Sequence, residues 1–476
     1  MTDTTQPHDF YSSRRKFVKS ATIGTAVGLA GCLGGGENGG DHPVLELNSG
    51  IDPSSEVANQ YTEALHEAGM SEDIEMEYSG IAAPGDRITT WEQWFSTNRE
   101  KPDLLQIEAP GTRFIERDGL LNLSEYISDD VQRKIEDRMD IPILDMYTQE
   151  GDLYGVPWLI NIGLVHYRKD LVEEAGYDPG GDDWMTNPLT WEEFNQVITD
   201  AQMESDVDYG FSMSIQDRFA GASFYEMVHS WGGDYFGGEP PDQNVQERPV
   251  TLTEEPVIRS LEMIRTFIYG SDDPRALNEY DQISSIDVLQ WGEDPPVDQF
   301  RSENQVAMRS WSWPVPILQE ELGEIYGTMP MPIGVPETDA LHSGRGGSGL
   351  MLGGWCVAGN GNTNNPEAVG EFIEAMVTDH AQLVLFEEQG YAPPARDLYA
   401  SDEIREGGVS DHADTLQYIA ENAEYWPEAD PLWQDHVGRF ESNLHAVLRQ
   451  EADLEEAMTD VEDTILHYQS NYHGSN

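Results

Sequence analysis

The chain has 476 residues, of which 89 are Asp or Glu and only 26 are Lys or Arg, so its formal net charge is −63 at pH 7. With so little positive charge it cannot displace counterions from a polyanion, which excludes nucleic acid as a partner. A hydrophobic content of 38% is enough to bury a large core, and the length predicts more than one domain.

The acidic residues are spread among Trp, Leu and Ile along the whole chain, which predicts a folded acidic surface rather than a disordered tail. Self-repulsion on such a surface destabilises the compact state at low salt, whereas molar salt shortens the Debye length to about 3 Å. Lysine occurs only at Lys16, Lys19, Lys101, Lys134 and Lys169. The composition resembles that of proteins from extreme halophiles, and twin-arginine export of a folded chain, which the first residues indicate, resembles haloarchaeal practice.

The first 32 residues resemble a twin-arginine export signal. Arg14 and Arg15 precede an apolar run, Ala21–Gly31, that is shorter than the roughly 20 residues a membrane-spanning helix needs. The run leads into Cys32 as Leu-Ala-Gly-Cys, which resembles a lipobox and predicts lipidation of Cys32. The glycine-rich composition of residues 33–42 predicts a flexible tether. The alternative is a plain cleaved signal in which Cys32 is incidental.

The first part of the mature chain alternates between strand and helix patterns. The predicted elements, in order, are strand Val44–Asn48, helix Pro53–Ala68, strand Ile74–Tyr78, helix Gly85–Asn98 and strand Asp103–Ile107. This order indicates a parallel sheet covered by helices. Glu108 follows the third strand directly, and the carboxyl ends of parallel strands are where open α/β sheets bind ligands. Glu108 is therefore a candidate ligand-binding residue, the alternative being a solvated rim charge.

The segment Tyr154–Asp170 predicts a passage of the chain from one sheet to another. Gly155 and Pro157 interrupt the pattern as a strand end or crossover does, and a buried strand follows over Ile162–Tyr167. Trp158, beside the proline, would then lie where two domains meet, and clefts between domains are favoured ligand sites. A return crossing is predicted at 329–332.

Helical patterns fill most of the remaining chain. They cover Trp191–Gln202, Phe219–Ser230, Glu254–Ile268, Pro366–Thr378, His380–Gln389, Pro431–Arg449 and Leu454–His467. Several large aromatic residues lie instead in turns or at strand ends. These are Trp158, Trp231, Trp311, Trp313, Trp355 and Tyr391. Flat rings at such positions can cover the C–H faces of a pyranose while polar side chains bind its hydroxyls, although any single ring could equally belong to a core.

An ordered set of short motifs resembles the sugar-type extracellular solute-binding proteins (family 1), the receptors of ABC importers. The motifs are Tyr-Gly-Val-Pro at 154–157, Tyr-Arg-Lys-Asp at 167–170, Glu-Ala-Gly at 174–176 and Pro-Leu-Thr-Trp-Glu-Glu-Phe at 188–194. The resemblance implies an α/β, two-lobed periplasmic-binding-protein-like fold of type II, like maltose-binding protein, with an interlobe cleft and hinge crossovers. It further implies lobe 1 over 43–158 and 333–378, and lobe 2 over 159–332 and 379–476.

The same resemblance implies a function and a location. The chain would capture a sugar or short oligosaccharide in the cleft and deliver it to an ABC permease, with no cofactor, no metal and no catalysis. It would be exported by the twin-arginine route and held by its lipid anchor at the extracellular face of the cell membrane.

A resemblance to receptors of the trehalose and maltose type implies roles for individual residues. Trp311 and Trp355 match stacking tryptophans, Gly354 matches a backbone donor, and Arg396 matches an arginine that reaches a hydroxyl. Where those receptors have an aspartate four residues after the crossover proline, this chain has Asn161. An amide donates as well as accepts but carries no charge, so the identity of the sugar stays open.

Two other functions remain open at this point. The same fold could bind another solute such as glycerol phosphate, which would require basic residues in the cleft. An exported glycan hydrolase would require two carboxylates flanking the scissile bond, and the sequence points to no such pair. The 12 histidines show no metal-ligand spacing, and His166, within a strand, is predicted to be a core residue. With Cys356 the only cysteine besides Cys32, no disulfide can form within the mature chain.

Overall fold

The computed structural model describes residues 42–80, 87–107, 112–115, 117–139, 142–216, 219–237, 248–425 and 431–471. The strands in this part of the chain are β1 (Val44–Ser49), β2 (Glu75–Gly80), β3 (Leu104–Ile107), β4 (Thr148–Gln149), β5 (Asp152–Leu153), β6 (Val156–Arg168), β7 (Tyr209–Ser212), β8 (Gln305–Trp311), β9 (Tyr326–Met329), β10 (Met351–Gly359) and β11 (Glu424–Tyr425).

The α-helices are α1 (Glu56–Glu67), α2 (Arg87–Ser96), α3 (Thr112–Ile115), α4 (Asp129–Arg138), α5 (Pro142–Asp145), α6 (Lys169–Glu174), α7 (Trp191–Glu204), α8 (Ser223–Ser230), α9 (Glu255–Tyr269), α10 (Asp294–Arg301), α11 (Val315–Leu322), α12 (Pro366–Met376), α13 (Asp379–Gln389), α14 (Asp402–Arg405), α15 (Ala413–Asn422), α16 (Pro431–Leu448) and α17 (Leu454–Asn471). Among the described residues, none of these helices combines the length and apolar character that crossing a membrane requires.

Local sequence signals explain several helix starts. At α7 the Thr190 hydroxyl accepts a hydrogen bond from the Glu193 backbone N–H at 3.2 Å, while the Glu193 carboxylate accepts one from the Thr190 N–H at 2.9 Å. Such a reciprocal cap satisfies two backbone donors that the helix itself leaves unpaired. At α12 Asn365 precedes Pro366, and its side chain donates to Asp103 at 3.1 Å instead of capping the helix.

The main sheet has the strand order β2-β1-β3-β10-β6-β8-β7, with β11 beside β10 and β9 beside β6. β1 pairs in parallel with both β2 and β3, which confirms the parallel sheet predicted from the first five elements. β10 runs antiparallel to both β3 and β6, and β8 runs antiparallel to β6. The two halves of the sheet are therefore joined through β6.

β6 is one continuous strand of 13 residues, whereas the sequence predicted an interruption at Pro157 followed by a separate strand. Pro157 lies opposite Cys356, beside the position where the register between β6 and β10 shifts. A proline is tolerated in a strand at such an irregularity because its missing N–H breaks no regular ladder bond. The first half of β6 pairs with β10, and the second half pairs with β8 and β9.

The buried residues form two clusters that meet along β6. The first cluster includes Leu47, Tyr61, Leu105, Phe372 and the β6 residues up to Leu164. The second includes Trp191, Phe211, Phe267, Leu444 and the β6 residues from Val165. The first cluster also takes in side chains of α10, α11 and α15, so the clusters do not divide the chain where the predicted lobe boundaries do, and those boundaries stay a prediction.

Between the return crossing predicted at 329–332 and β10 lies a segment that contacts the surroundings of the second half of the sheet. Ile333 N–H donates to the Leu189 carbonyl at 2.8 Å, and Val335 N–H donates to the Ser230 carbonyl at 2.9 Å. Arg345 donates to Asp234 at 2.7 Å. These contacts keep residues 333–345 against the elements around α7 and α8.

Two histidines are buried near the second half of β6. His166, predicted to be a core residue, is fully buried between Tyr326 and the Trp311 carbonyl, at 2.7 and 3.0 Å from its ring nitrogens. His412 lies between Thr328 and Gln319, at 3.0 and 2.7 Å. Because burial disfavours the charged imidazolium, the pKa of each histidine is lowered from 6.5 to about 3.

We predict that these neutral imidazoles make the fold sensitive to mild acid. An imidazole whose pKa is lowered on folding contributes stability above pH 6.5, and this contribution is lost as the pH falls from 6.5 towards 3. Replacing His412 by Gln should reduce the drop in unfolding free energy between pH 7 and pH 4.5 by about 2–3 kcal/mol. Chemical denaturation in concentrated KCl at each pH measures the drop, with the surface variant His380→Gln as control. An unchanged drop in His412→Gln would contradict the prediction.

Candidate functional site

Three facing pairs of residues along the middle of β6 lie on one face of the sheet. Leu159 faces Trp355, Asn161 faces Gly353 and Gly163 faces Trp311. The side chains of two directly facing residues lie on the same face of the sheet, and so do the side chains of residues two positions further along each strand. Side chains from β8 and β10 therefore lie beside those of β6 where this strand passes from the first cluster to the second.

Contacts confirm that Asn161 and Trp311 converge on Gly353. A Cβ placed on Gly353 would lie 3.5 Å from the Asn161 Cβ and 3.6 Å from Cη2 of the Trp311 ring. Asn161 is half-buried, and Trp355, on the neighbouring pair, is half-buried against the first cluster. The structure therefore brings together Asn161, Trp311 and Trp355, three of the predicted ligand-binding residues.

Trp311 itself is held from several sides. Its indole N–H donates to Glu293 at 3.3 Å, and the Arg309 guanidinium carbon lies 4.1 Å from the centre of its ring. Only 5% of the residue is exposed. A ring with so little accessible surface can cover a ligand only after its surroundings move.

Trp158 lies on the other face of β6, because it alternates with Leu159. Its indole N–H donates to the Tyr61 hydroxyl at 2.8 Å, and its ring meets the Tyr391 ring edge-on with centroids 5.9 Å apart. Trp158 is 3% exposed and Tyr61 is fully buried. The structure thus joins Trp158 to Tyr391, another predicted residue, but within the first cluster. Burial raises the pKa of the Tyr61 hydroxyl, which stays a neutral partner for the indole.

The loop that carries Tyr391 and Arg396 is attached to β6. The Ile160 N–H donates to the Ala392 carbonyl at 2.9 Å. Arg396 is half-buried, and its buried Nε has no hydrogen-bond partner among the described residues. A buried guanidinium N–H without a partner is costly, and a ligand hydroxyl would satisfy it.

Gly354 lies where β10 packs closely against β6, and Trp313 lies between the two clusters. A Cβ on Gly354 would lie 2.7 Å from the Leu159 carbonyl oxygen, so the absence of a side chain lets β10 approach β6 closely. Trp313 is half-buried and packs against both clusters. Each of these two residues therefore has a structural role independent of any ligand.

Trp231 stands apart from this group. It ends α8, and the Arg259 guanidinium lies 4.4 Å from the centre of its ring. No described contact joins Trp231 to Asn161, Trp311 or Trp355. Two further predicted residues, Glu108 and the lipidation candidate Cys32, lie outside the described residues.

Sequence reasoning missed a buried ion pair beside this site. Arg309 donates to both carboxylate oxygens of Glu226, at 2.7 and 2.6 Å, and both side chains are almost completely buried. The only sequence signal was an arginine in the middle of the apolar run Val-Ala-Met-Arg-Ser-Trp at 306–311. Its partner, 83 residues earlier in the chain, had no signal.

The described residues include no group of three or more His, Cys, Asp or Glu side chains able to hold a metal ion. A groove of about 820 Å³ lies between α1 and β2, but none of the predicted ligand-binding residues lines it. The candidate site is therefore the region around the middle of β6, which offers aromatic rings and an amide.

Solved structures share this architecture. The chain is similar to maltose-bound MalE3 of T. maritima, with a TM-score of 0.71, 20% identity, and coverage of 89% of this chain and 98% of that one. It is also similar to the GacH receptor of Streptomyces glaucescens, solved unliganded and with acarbose, with a TM-score of 0.66, 18% identity, and coverage of 90% and 99%. These similarities confirm the two-lobed α/β fold of type II, like maltose-binding protein.

Two relatives identified by sequence are also named as binding proteins. One is a "Probable ABC transporter-binding protein" of Deinococcus radiodurans, 26% identical over 271 residues, or 55% of this chain and 56% of that one. Another is the arabinooligosaccharide-binding protein of Halalkalibacterium halodurans, 21% identical over 310 residues, or 64% of this chain and 59% of that one. The matches span somewhat more than half the length of these two relatives.

A family model described as "Bacterial extracellular solute-binding protein" matches residues 58–408, which is most of the chain. Members of this family are binding proteins rather than enzymes, and they act outside the cytoplasm. The chain belongs to the bacterial extracellular solute-binding protein family.

Proposed function

We propose that this protein captures a sugar or short oligosaccharide between its two lobes and delivers it to an ABC permease. The observation that carries the proposal is the convergence of Asn161, Trp311 and Trp355 on one face of the strand that joins the two halves of the sheet. Rings cover the apolar faces of a sugar, and an amide both donates to and accepts from its hydroxyls.

Several neighbours support a polyhydroxylated ligand. The relatives and solved structures include an arabinooligosaccharide-binding protein, a lactose-binding protein, a maltose complex and a complex with D-mannitol. Arg396 adds a buried N–H that has no hydrogen-bond partner in the described part of the chain, and this N–H suits a hydroxyl oxygen. Specificity of the trehalose or maltose type is the finer form of the proposal, resting on Trp311, Gly354, Trp355 and Arg396.

Binding would be coupled to closure of the lobes. Only 5% of Trp311 is exposed, so a ligand reaches this ring only after the surrounding residues move, as an opening of the lobes would allow. A ligand that touches both lobes binds the closed form better than the open form and shifts the population towards it. The closed form would then present the surface that the permease recognises.

The location follows from the first part of the chain. We propose export by the twin-arginine route, lipidation of Cys32, and a tether over residues 33–42 that holds the receptor at the extracellular face of the membrane. The net charge of −63 supports a halophilic environment, where salt screens the acidic surface. Lobe 1 over 43–158 and 333–378 and lobe 2 over 159–332 and 379–476 remain the proposed division.

An anionic solute such as glycerol phosphate is less favoured by the site. The cation beside Trp311 is Arg309, and its charge is neutralised by both carboxylate oxygens of Glu226. An anion at Asn161 would therefore meet an amide and aromatic rings, and no described contact brings the Arg396 guanidinium to Asn161. A neutral, hydroxylated ligand makes better use of these groups.

A thermal-shift screen in concentrated KCl tests the proposal with maltose, trehalose, arabinotriose and D-mannitol as probes. A ligand that binds only the folded protein raises the melting temperature. Replacing Trp355 by Ala should weaken binding of the stabilising sugar at least about tenfold, which corresponds to about 1.4 kcal/mol. The matched control is Trp94→Ala, another half-buried tryptophan of the first cluster that lies outside the site. Equal losses in both variants, or no shift with any probe, would contradict the proposal.

The variant Asn161→Asp separates neutral from anionic ligands. A carboxylate accepts strong hydrogen bonds from hydroxyls, so the affinity for a neutral sugar should stay within about threefold or increase. The affinity for glycerol 3-phosphate, by contrast, should fall because two negative charges would meet. Titration calorimetry with both probes measures the difference, and Asn422→Asp adds the same charge on a remote helix as a control. Tight binding of glycerol 3-phosphate that Asn161→Asp abolishes would favour the anionic alternative.

A further inference from the structure

The ion pair between Glu226 and Arg309 lies directly behind Trp311. Glu226 is in the middle of α8, and Arg309 is two residues before Trp311 on β8, so the two residues share a face of that strand. Arg309 Nε donates to one carboxylate oxygen at 2.7 Å and Nη2 donates to the other at 2.6 Å. The side chains of Glu226 and Arg309 are 0% and 2% exposed.

Stability alone is a poor explanation for this pair. Removing a carboxylate and a guanidinium from water costs several kcal/mol for each ion, and the attraction between them often does no more than offset that cost. Replacing buried pairs by well-packed neutral side chains is often neutral or stabilising. The residues that the ion pair contacts therefore indicate what it contributes besides stability.

Two glycines make room for the pair. A Cβ on Gly163 would lie 1.9 Å from a Glu226 carboxylate oxygen and 2.8 Å from Arg309 Nη2. A Cβ on Gly349 would lie 1.9 Å from the Glu226 carbonyl oxygen. Gly163 belongs to the strand that joins the two halves of the sheet, and Gly349 precedes β10, along which the chain returns. The paired side chains therefore pack against β6, and the backbone of Glu226 packs against the residue before β10.

The guanidinium holds the plane of the Trp311 ring. Its central carbon lies 4.1 Å from the ring centre, which is within the range of a cation–π contact, and such contacts are strongest when desolvated. Bidentate bonding to Glu226 fixes the plane of the guanidinium, because its N–H groups form a rigid fork. The hydrogen bond from Nε1 to Glu293 adds to the positioning, and the edge of the ring lies beside Gly353, where a Cβ would be 3.6 Å from Cη2.

We propose that Glu226 and Arg309 are positioning residues for ligand binding, which set the orientation of the Trp311 indole without touching the ligand. This inference rests on the proposed function, since it assigns the pair to the same sugar site. A ring held in its binding orientation loses less conformational entropy when the ligand arrives, and this preorganisation increases affinity.

The test uses the full mature chain with the paired substitution Arg309→Met and Glu226→Gln, which removes both charges together and leaves no unpaired buried ion. The matched control is Arg265→Met with Asp273→Asn, which removes another buried pair, with N–O distance 2.8 Å, that has no described contact with Trp311. Thermal unfolding in concentrated KCl establishes that each double variant folds. Arg309→Lys serves as a milder variant, since it keeps the charge but loses the planar fork.

The first readout needs no ligand. Fluorine NMR of protein labelled with 5-fluorotryptophan, with the Trp311 resonance assigned by Trp311→Phe, reports the environment and mobility of the ring. We expect the Trp311 resonance to shift and broaden in Arg309→Met/Glu226→Gln and to stay unchanged in the control pair. An unchanged Trp311 resonance in Arg309→Met/Glu226→Gln overturns the inference, whether or not any sugar binds.

The second readout is the affinity for whichever of maltose, trehalose, arabinotriose or D-mannitol binds the unsubstituted protein. We expect at least a tenfold loss in Arg309→Met/Glu226→Gln, a smaller loss in Arg309→Lys, and unchanged affinity in the control pair. An equal loss in both double variants shows a merely structural role and overturns the inference. Failure of all four probes to bind the unsubstituted protein counts against the proposed function, while the fluorine signal still tests whether the pair positions the ring.

Discussion

The continuous hydrogen-bonded strand β6 is the constraint on which the rest of the structure depends. Its first half pairs with β10 and its second half with β8 and β9, so one stretch of backbone belongs to both halves of the sheet. Asn161, in the middle of this strand, cannot move independently of either half. A ligand bound at Asn161, as proposed, would therefore be coupled to the relative arrangement of the lobes.

Much of the fold could be predicted from the sequence because local patterns agreed with the global arrangement. The alternation in Val44–Asn48 and the buried run Asp103–Ile107 predicted strands of a parallel sheet, and the helical pattern Trp191–Gln202 predicted α7. The continuity of β6 could not be predicted in this way. Pro157 reads as a break in any local window, and the register shift at Cys356 that accommodates it lies about 200 residues further along the chain.

The site shows the same division between local and long-range information. The sequence indicated that Trp158, Trp311 and Trp355 lie near junctions, and all three do lie on or beside β6. What it could not indicate is the face on which each ring lies: Trp158 turns towards Tyr61, whereas Trp355 and Trp311 share the face of Asn161. A shift of one residue reverses the face in a strand. The role of Trp158 in ligand binding accordingly stays a prediction.

The positions of the few arginine residues help to explain how so acidic a chain folds. Arg309 pairs with Glu226, Arg345 with Asp234 and Arg265 with Asp273, and all six side chains are buried. Arginine suits these positions because its planar fork can bond a carboxylate while remaining charged. Dissolved ions screen the exposed acidic surface but reach such buried pairs far less. Arginines of the protein itself therefore neutralise these buried carboxylates. The excess negative charge of the chain is left at the surface, where dissolved salt can screen it.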